Sequence, residues 1–189
     1  MMRTRPLTAV LAAAVAVAAP VACTDTADVR DVSGQATVPA GKVSEQDKGW
    51  MRRARRIDLA AVNAGDLAQR RGTTREVRTL GATIAREHRA LDARLVATAR
   101  RLGVELPHAT SDRKFLEIDG LKDRRERLFD LNWTSVLTDW HEEGVEAAKA
   151  EIAQGSSPEV IVLARDRLRV LERHLAALDE LGTQEMQGG

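Results

Sequence analysis

The 189-residue chain has one cysteine, no tyrosine, two phenylalanines and three tryptophans. A lone thiol, Cys23, cannot close an intramolecular disulfide, so folding must rely on packing. Strands favour aromatic and β-branched residues, and this chain is filled instead with Ala, Leu, Arg and Glu, which predicts an all-α fold. Strong net charge is also missing. The formal value of +1 becomes −1 once Arg3 and Arg5 in the leader are set aside, which argues against a protein drawn to nucleic acid by charge. Long apolar runs are absent except one, Leu7 to Ala22, of about 16 residues where roughly 20 span a bilayer.

That run has a use other than spanning. Met-Met-Arg-Thr-Arg precedes it and the small residue Ala22 follows, the layout of a secretory signal. Cys23 then stands where a bacterial lipoprotein receives its diacylglyceryl group, and an unpaired thiol outside the cell is otherwise a liability. Pro20 occupies the place where such signals usually carry Leu. Lipidation at Cys23 is the leading expectation; cleavage near Ala18 or Ala19, or an uncleaved anchor, are the alternatives. The expected organisation is a signal peptide over 1–22, a flexible tether over 23–43, a helical domain over 44–182 and a disordered tail over 183–189. The tether expectation rests on Gly34, Pro39 and Gly41 in a stretch without apolar periodicity.

Within the domain, punctuation sets the helices. Ser44 with Asp47 three residues on predicts a capping box, and the first helix should run to about Arg71, ahead of Gly72. Thr73-Thr74-Arg75-Glu76 reads as a second capping box opening a helix with an apolar stripe of Val77, Leu80, Ile84, Leu91, Leu95 and Leu102. Gly103 and Pro107 close it. The stretch 108–126 is either a short helix or an ordered loop. A third long helix is expected from about Arg127 to Ala153. Ser157-Pro158-Glu159 starts the fourth, which should end before Gly182. Four amphipathic helices predict a four-helix bundle.

Three histidines share the inward stripes of three helices. His88 lies between Ile84 and Leu91, His174 between Leu171 and Leu178, and His141 four residues before Val145. Such imidazoles can hold zinc, copper, nickel or iron, or each can be a half-buried packing residue bonded to backbone or carboxylate. Glu87, Glu142 and Glu172 are the candidates to orient them, with Asp92 and Asp139 also near in sequence. The Glu-x-x-His pairs of di-iron bundles are absent, since Ala85, Thr138 and Leu171 stand three residues before the histidines. His141-Glu142-Glu143 lacks the second histidine of a zinc-protease motif, and no phosphate-binding glycine loop is present. His108 falls in a loop and has no assigned role. Trp50 with Arg52, Arg53, Arg55 and Arg56 opens the first helix as either a solvated basic end or a contact for anionic headgroups. Trp133 and Trp140, seven residues apart, are expected to fill core rather than line a cavity.

Several segments in order resemble the domain of unknown function 4142 family: Gly65-Asp66-Leu67-Ala68, Glu76-Val77-Arg78, Ile84-Ala85-Arg86-Glu87-His88, Leu102-Gly103-Val104-Glu105-Leu106-Pro107, Phe129-Asp130, His141 and Leu171-Glu172-Arg173-His174-Leu175. The resemblance covers roughly residues 45–182. It implies a ferritin-like helical bundle in the cell envelope without established activity, and it implies that His88, His141 and His174 are recurrent family positions. The acid expected in the first helix has Ala61 or Asn63 at its matching place. The functional expectation is a non-catalytic envelope lipoprotein that binds the membrane through its lipid, and a protein partner, another copy of itself or a small ligand through its bundle. The alternative is a metal-binding envelope protein using zinc, copper or iron in storage, buffering or stress defence.

Overall fold

The computed structural model describes residues 41–187; the expected signal peptide and almost all of the tether, with Cys23, lie outside them. The described residues are all-helical: α1 (Glu45–Arg71), α2 (Arg75–Leu102), α3 (Asp112–Lys122), α4 (Glu126–Gln154) and α5 (Pro158–Gln187). Four helices are long and α3 is short. α1 packs on α2 and α4, and α5 packs on α4 and α2, so two helical hairpins lie against each other. α3 rests on α1 and α4. No helix among the described residues is long and apolar enough to cross a membrane.

The caps explain where the helices begin. Ser44 and Asp47 form the expected capping box at α1. At α2 the expectation needs correction: Thr74 is the cap, its hydroxyl accepting from Val77 N, and Glu76 is not part of a box. The preceding turn is held from another helix. Asp130 of α4 accepts from the backbone N–H of Thr73 and of Thr74 and from the Thr73 hydroxyl. The start of α5 is held in the same manner by Asp47 of α1, which accepts from Ser156 N at 3.0 Å and Ser157 N at 3.1 Å. Each hairpin thus supplies, near the start of its first helix, the acid that caps the second helix of the other. The N-terminal N–H groups of a helix have no partner of their own, so these carboxylates fix the relative height of the hairpins.

Within the first hairpin the seam is made of small residues. A Cβ on Gly65 would stand 2.5 Å from the Gly81 carbonyl, and one on Gly81 would stand 2.7 Å from Ala68 Cβ. Backbones that close leave no room for side chains between α1 and α2 along this stretch. The aromatic residues sit elsewhere. Trp133 and Trp140 are buried core residues of α4, Trp133 donating its indole N–H to the Ala64 carbonyl and Trp140 donating to Glu117. Trp50 is buried too. Arg52 and Arg55 donate to the carbonyls of Glu105 and Pro107, and Arg55 pairs with Asp92. Arg52 and Arg55 thus tie α1 to the chain leaving α2, while Arg53 and Arg56 are exposed.

The stretch 108–126 takes the short-helix form of its two expected alternatives, and one boundary, the end of α5, differs from expectation. The stretch 108–126 contains α3, capped by Ser111, with Ile118 and Leu121 buried while Phe115 and Leu116 face solvent. α5 continues through Gly182 to Gln187, so the residues expected as a tail are helical for most of their length. An interior glycine costs a helix about 1 kcal/mol but removes no hydrogen bond, and it does not stop one that is already packed.

Candidate metal centre

Each of the four long helices sends a polar side chain to the middle of the bundle: Asp58 from α1, His88 from α2, His141 from α4 and His174 from α5. The three imidazoles form a compact triangle, their ring centroids 5.1 to 5.5 Å apart. His88 and His141 are fully buried and His174 is 3% exposed. Histidine in such surroundings must find a partner for both ring nitrogens.

The partners on the outer side of each ring are all acceptors. His88 Nδ1 lies 2.8 Å from Asp58 Oδ1. His141 Nδ1 lies 2.7 Å from the Leu137 carbonyl. His174 Nε2 lies 3.1 Å from Glu87 Oε2. A carbonyl or carboxylate can only accept, so each of these nitrogens carries the hydrogen and donates. In a neutral ring the other nitrogen is then a bare lone pair. Those other nitrogens face one another: His88 Nε2 and His141 Nε2 are 3.2 Å apart, and His141 Nε2 and His174 Nδ1 are 3.1 Å apart.

With all three rings neutral, the two hydrogen-bond-length contacts would join three acceptors. A proton on His141 Nε2 is the one addition that could serve both contacts. Burial, reinforced by the neighbouring His88 and His174, holds His141 well below the ordinary histidine range, so the ring stays neutral. Burial also lowers His174, to about 4, with His88 adding to the effect and Glu87 opposing it. Inward nitrogens on three rings, each ring oriented by an acceptor on its outer nitrogen, are the arrangement of histidine ligands around a metal ion. The donor atoms lie within 4.8 Å of one another. Nitrogens around a three-coordinate ion with bonds of about 2.0–2.1 Å sit about 3.5 Å apart, so small ring movements would bring these three to that geometry.

The outer shell is itself anchored. Arg167 of α5 grips Asp58 with two parallel bonds, Nη1 to Oδ1 at 2.6 Å and Nη2 to Oδ2 at 2.5 Å, and both side chains are buried. Burial alone would raise the Asp58 carboxyl; the Arg167 charge and hydrogen bonds, with those of His88, outweigh it and hold Asp58 below its ordinary value. Glu87 is similarly lowered against its partial burial by His174 and then Arg173, whose Nη2 lies 3.2 Å away.

The three predicted histidines are thus brought together, and Glu87 joins them, although it serves His174 across the α2–α5 seam rather than its own neighbour His88. Glu142 and Glu172 point outward and are exposed, so neither orients the site. Each follows or precedes an inward residue by one position, which turns it about 100° round the helix. Asp92 pairs with Arg55, Asp139 is exposed, and His108 is exposed. Sequence reading missed Asp58 and Arg167. Asp58 stands one turn before Ala61 and is buried, while Ala61 is packed in the core and Asn63 faces solvent. The available signal was a charged residue on an apolar stripe, Asp58 between Ala54 and Ala61, and Arg167 between Ala164 and Leu171.

The family model described as "Domain of unknown function (DUF4142)" matches residues 32–181. Among solved structures, a DUF305 fragment from Deinococcus radiodurans is similar, with a TM-score of 0.68 and 16% identity over 75% of this chain and 98% of that one. A DUF305 protein from Streptomyces coelicolor, provisionally described as secreted, has a TM-score of 0.63 and 18% identity over 74% of this chain and 93% of that one. At such identities the likeness concerns the helical fold alone. No protein of curated function matches the chain.

Proposed function

The chain belongs to the DUF4142 family, and we propose that it is an exported, lipid-anchored metal-binding protein whose ferritin-like four-helix bundle holds one transition-metal ion between His88, His141 and His174. The observation that carries the reading is the convergence of three imidazole lone pairs whose outer nitrogens all donate elsewhere. Imidazole donors favour zinc, copper, nickel and iron over calcium and magnesium. No carboxylate stands among the three donors, and the nearest buried one, Asp58, is matched by Arg167. That separates the site from a carboxylate-rich iron centre and favours an ion of the zinc or copper class. The role is storage or buffering in the envelope, without catalysis. Export through Cys23 and its leader rests on the sequence, and a relative of similar fold described as secreted is in keeping with it. An interaction module remains the competing role, but it has no comparable feature of the bundle behind it.

The test is titration of residues 24–189 with zinc(II), copper(I) and iron(II), followed by thermal unfolding. One equivalent should bind zinc or copper, with stabilisation of about 2.7 kcal/mol when free ion is one hundred times Kd. His141→Ala should lose both the binding and the ion-dependent stabilisation. Melting curves unchanged by every ion would reject the metal reading and return the search to protein partners.

A further inference from the structure

The three imidazoles are sealed from solvent on nearly every side, so an ion that reaches them needs a route. His88 and His141 have no exposed side-chain surface, and their outer nitrogens end on a fully buried carboxylate and a helix carbonyl. His174 differs. Its outer nitrogen ends on Glu87, whose side chain is 29% exposed and so joins the buried cluster to solvent. Beside that carboxylate stand two exposed arginines, Arg173 at 3.2 Å from Oε2 and Arg86 at 3.6 Å from Oε1.

An open cleft also approaches Glu87 along the same pair of helices. Between α2 and α5 runs a cleft of about 460 Å³, lined by Arg75, Glu76, Leu80, Thr83, Ala177 and Glu180 among others. Thr83 is four residues before Glu87 and Ala177 three after His174, so the cleft reaches to within a helical turn of both. A second cleft, between α4 and α5, passes Thr134, Thr138 and Glu142. Among the described residues no polar side chain of that cleft bonds a ring nitrogen of the triad: the acceptor on α4 is the Leu137 backbone, and Leu178 is fully buried.

Resting on the metal-binding reading above, we infer that the ion enters and leaves through the α2–α5 cleft and that Glu87 is its transit ligand. In the resting arrangement Glu87 accepts from His174 Nε2 and from Arg173. This partly exposed carboxylate captures the cation from water as Arg173 swings away, then passes it to the inner ring nitrogens. Once the ion is inside, Glu87 returns to His174 Nε2–H and holds that ring in its ligating tautomer. Glu87 is therefore a ligand during transfer and a positioning residue at equilibrium, and Arg173 is the latch that competes with the ion for the carboxylate.

These two roles separate in Glu87→Gln. The amide oxygen still accepts from His174 Nε2–H, but a neutral amide captures cations poorly. The experiment measures association and dissociation rates and equilibrium affinity, with zinc(II) and separately with copper(I) under reductant, on residues 24–189. Charge at a cleft commonly changes association by about tenfold or more. Glu87→Gln should slow both association and dissociation about tenfold and leave the affinity within about threefold. Arg173→Ala should speed both. Glu142→Gln, in the other cleft, should change neither. An unchanged association rate in Glu87→Gln, or slowing in Glu142→Gln, overturns this route while metal binding stands. Loss of affinity with an unchanged association rate would make Glu87 a positioning residue only, which also overturns it. Absence of binding by the wild type rejects the metal reading, and this inference with it.

Discussion

Two places in the bundle bury carboxyl groups between helices, and they resolve the cost in opposite ways. At mid-height Asp58 is enclosed completely, yet Arg167 faces it with two hydrogen bonds and His88 donates a third. At the end of the bundle Asp47 and Glu151 are both fully buried with no cation between them. Asp47 gathers the hydroxyl and N–H of Ser44 and the N–H groups of Ser156 and Ser157. Against the push of burial, the Ser44 hydroxyl, Glu151 and those backbone groups lower it to about 2. Glu151 has only the Gln46 amide at 3.3 Å and Asp47 itself. Burial first, then the bond to Asp47 and the negative charge there, raise Glu151 to about 7. A carboxyl beside an arginine is held low, and one beside a better-satisfied carboxylate is pushed up. The same residue types thus give a rigid ionic anchor at the site and, at the end, a carboxyl pair whose two members are shifted in opposite directions.

The largest break in this comparison comes from removing the cation. Arg167→Met leaves Asp58 buried without its counter-charge and should cost about 3–5 kcal/mol in chemical denaturation. The double variant Arg167→Met with Asp58→Leu should recover much of that loss, because no charge is left uncompensated. Next comes the shared cap. Asp47→Ala deprives Ser156 and Ser157 of their acceptor and should cost about 2 kcal/mol, and Asp130→Ala should do comparable damage at the start of α2.

The pH dependence sharpens the contrast further. Glu151 has a folded value raised from 4.5 to about 7, so the folded state binds its proton more tightly than the unfolded chain does. That contribution is fully present below pH 4.5 and is lost as pH rises through about 7. Unfolding free energy followed across that window should fall by on the order of 2 kcal/mol from this group, and Glu151→Gln should remove the fall. An equal slope in the variant would assign the dependence elsewhere. The smallest effect is expected at the surface: Glu142→Gln, exposed and away from the triad, should shift stability by less than about 0.5 kcal/mol.

The sequence made the elements and the histidines legible for separate reasons. Helix starts were marked by residues that cap locally, Ser44 and Thr74, and the ends of α1 and α2 by Gly72 and Gly103. The histidines were legible because each interrupts an apolar stripe at the correct spacing. α3 was not, because half of its apolar residues, Phe115 and Leu116, face solvent and blur the period. Asp58 and Arg167 escaped notice because their pairing joins positions 109 residues apart, and neither has a local motif. Glu142 and Glu172 were favoured as sequence neighbours of histidines, where helical geometry turns them away. The cross-hairpin caps by Asp47 and Asp130 depend on tertiary packing, which spacing alone does not encode.

The central claim is that three imidazoles aim their inner nitrogens at one point, and ¹⁵N–¹H correlation NMR of the imidazole groups in metal-free protein tests it directly. The account predicts hydrogen on Nδ1 of His88, on Nδ1 of His141 and on Nε2 of His174, with the three remaining nitrogens unprotonated and shifting together when one equivalent of zinc(II) is added. A hydrogen on His141 Nε2, or three ring spectra indifferent to the ion, would contradict it.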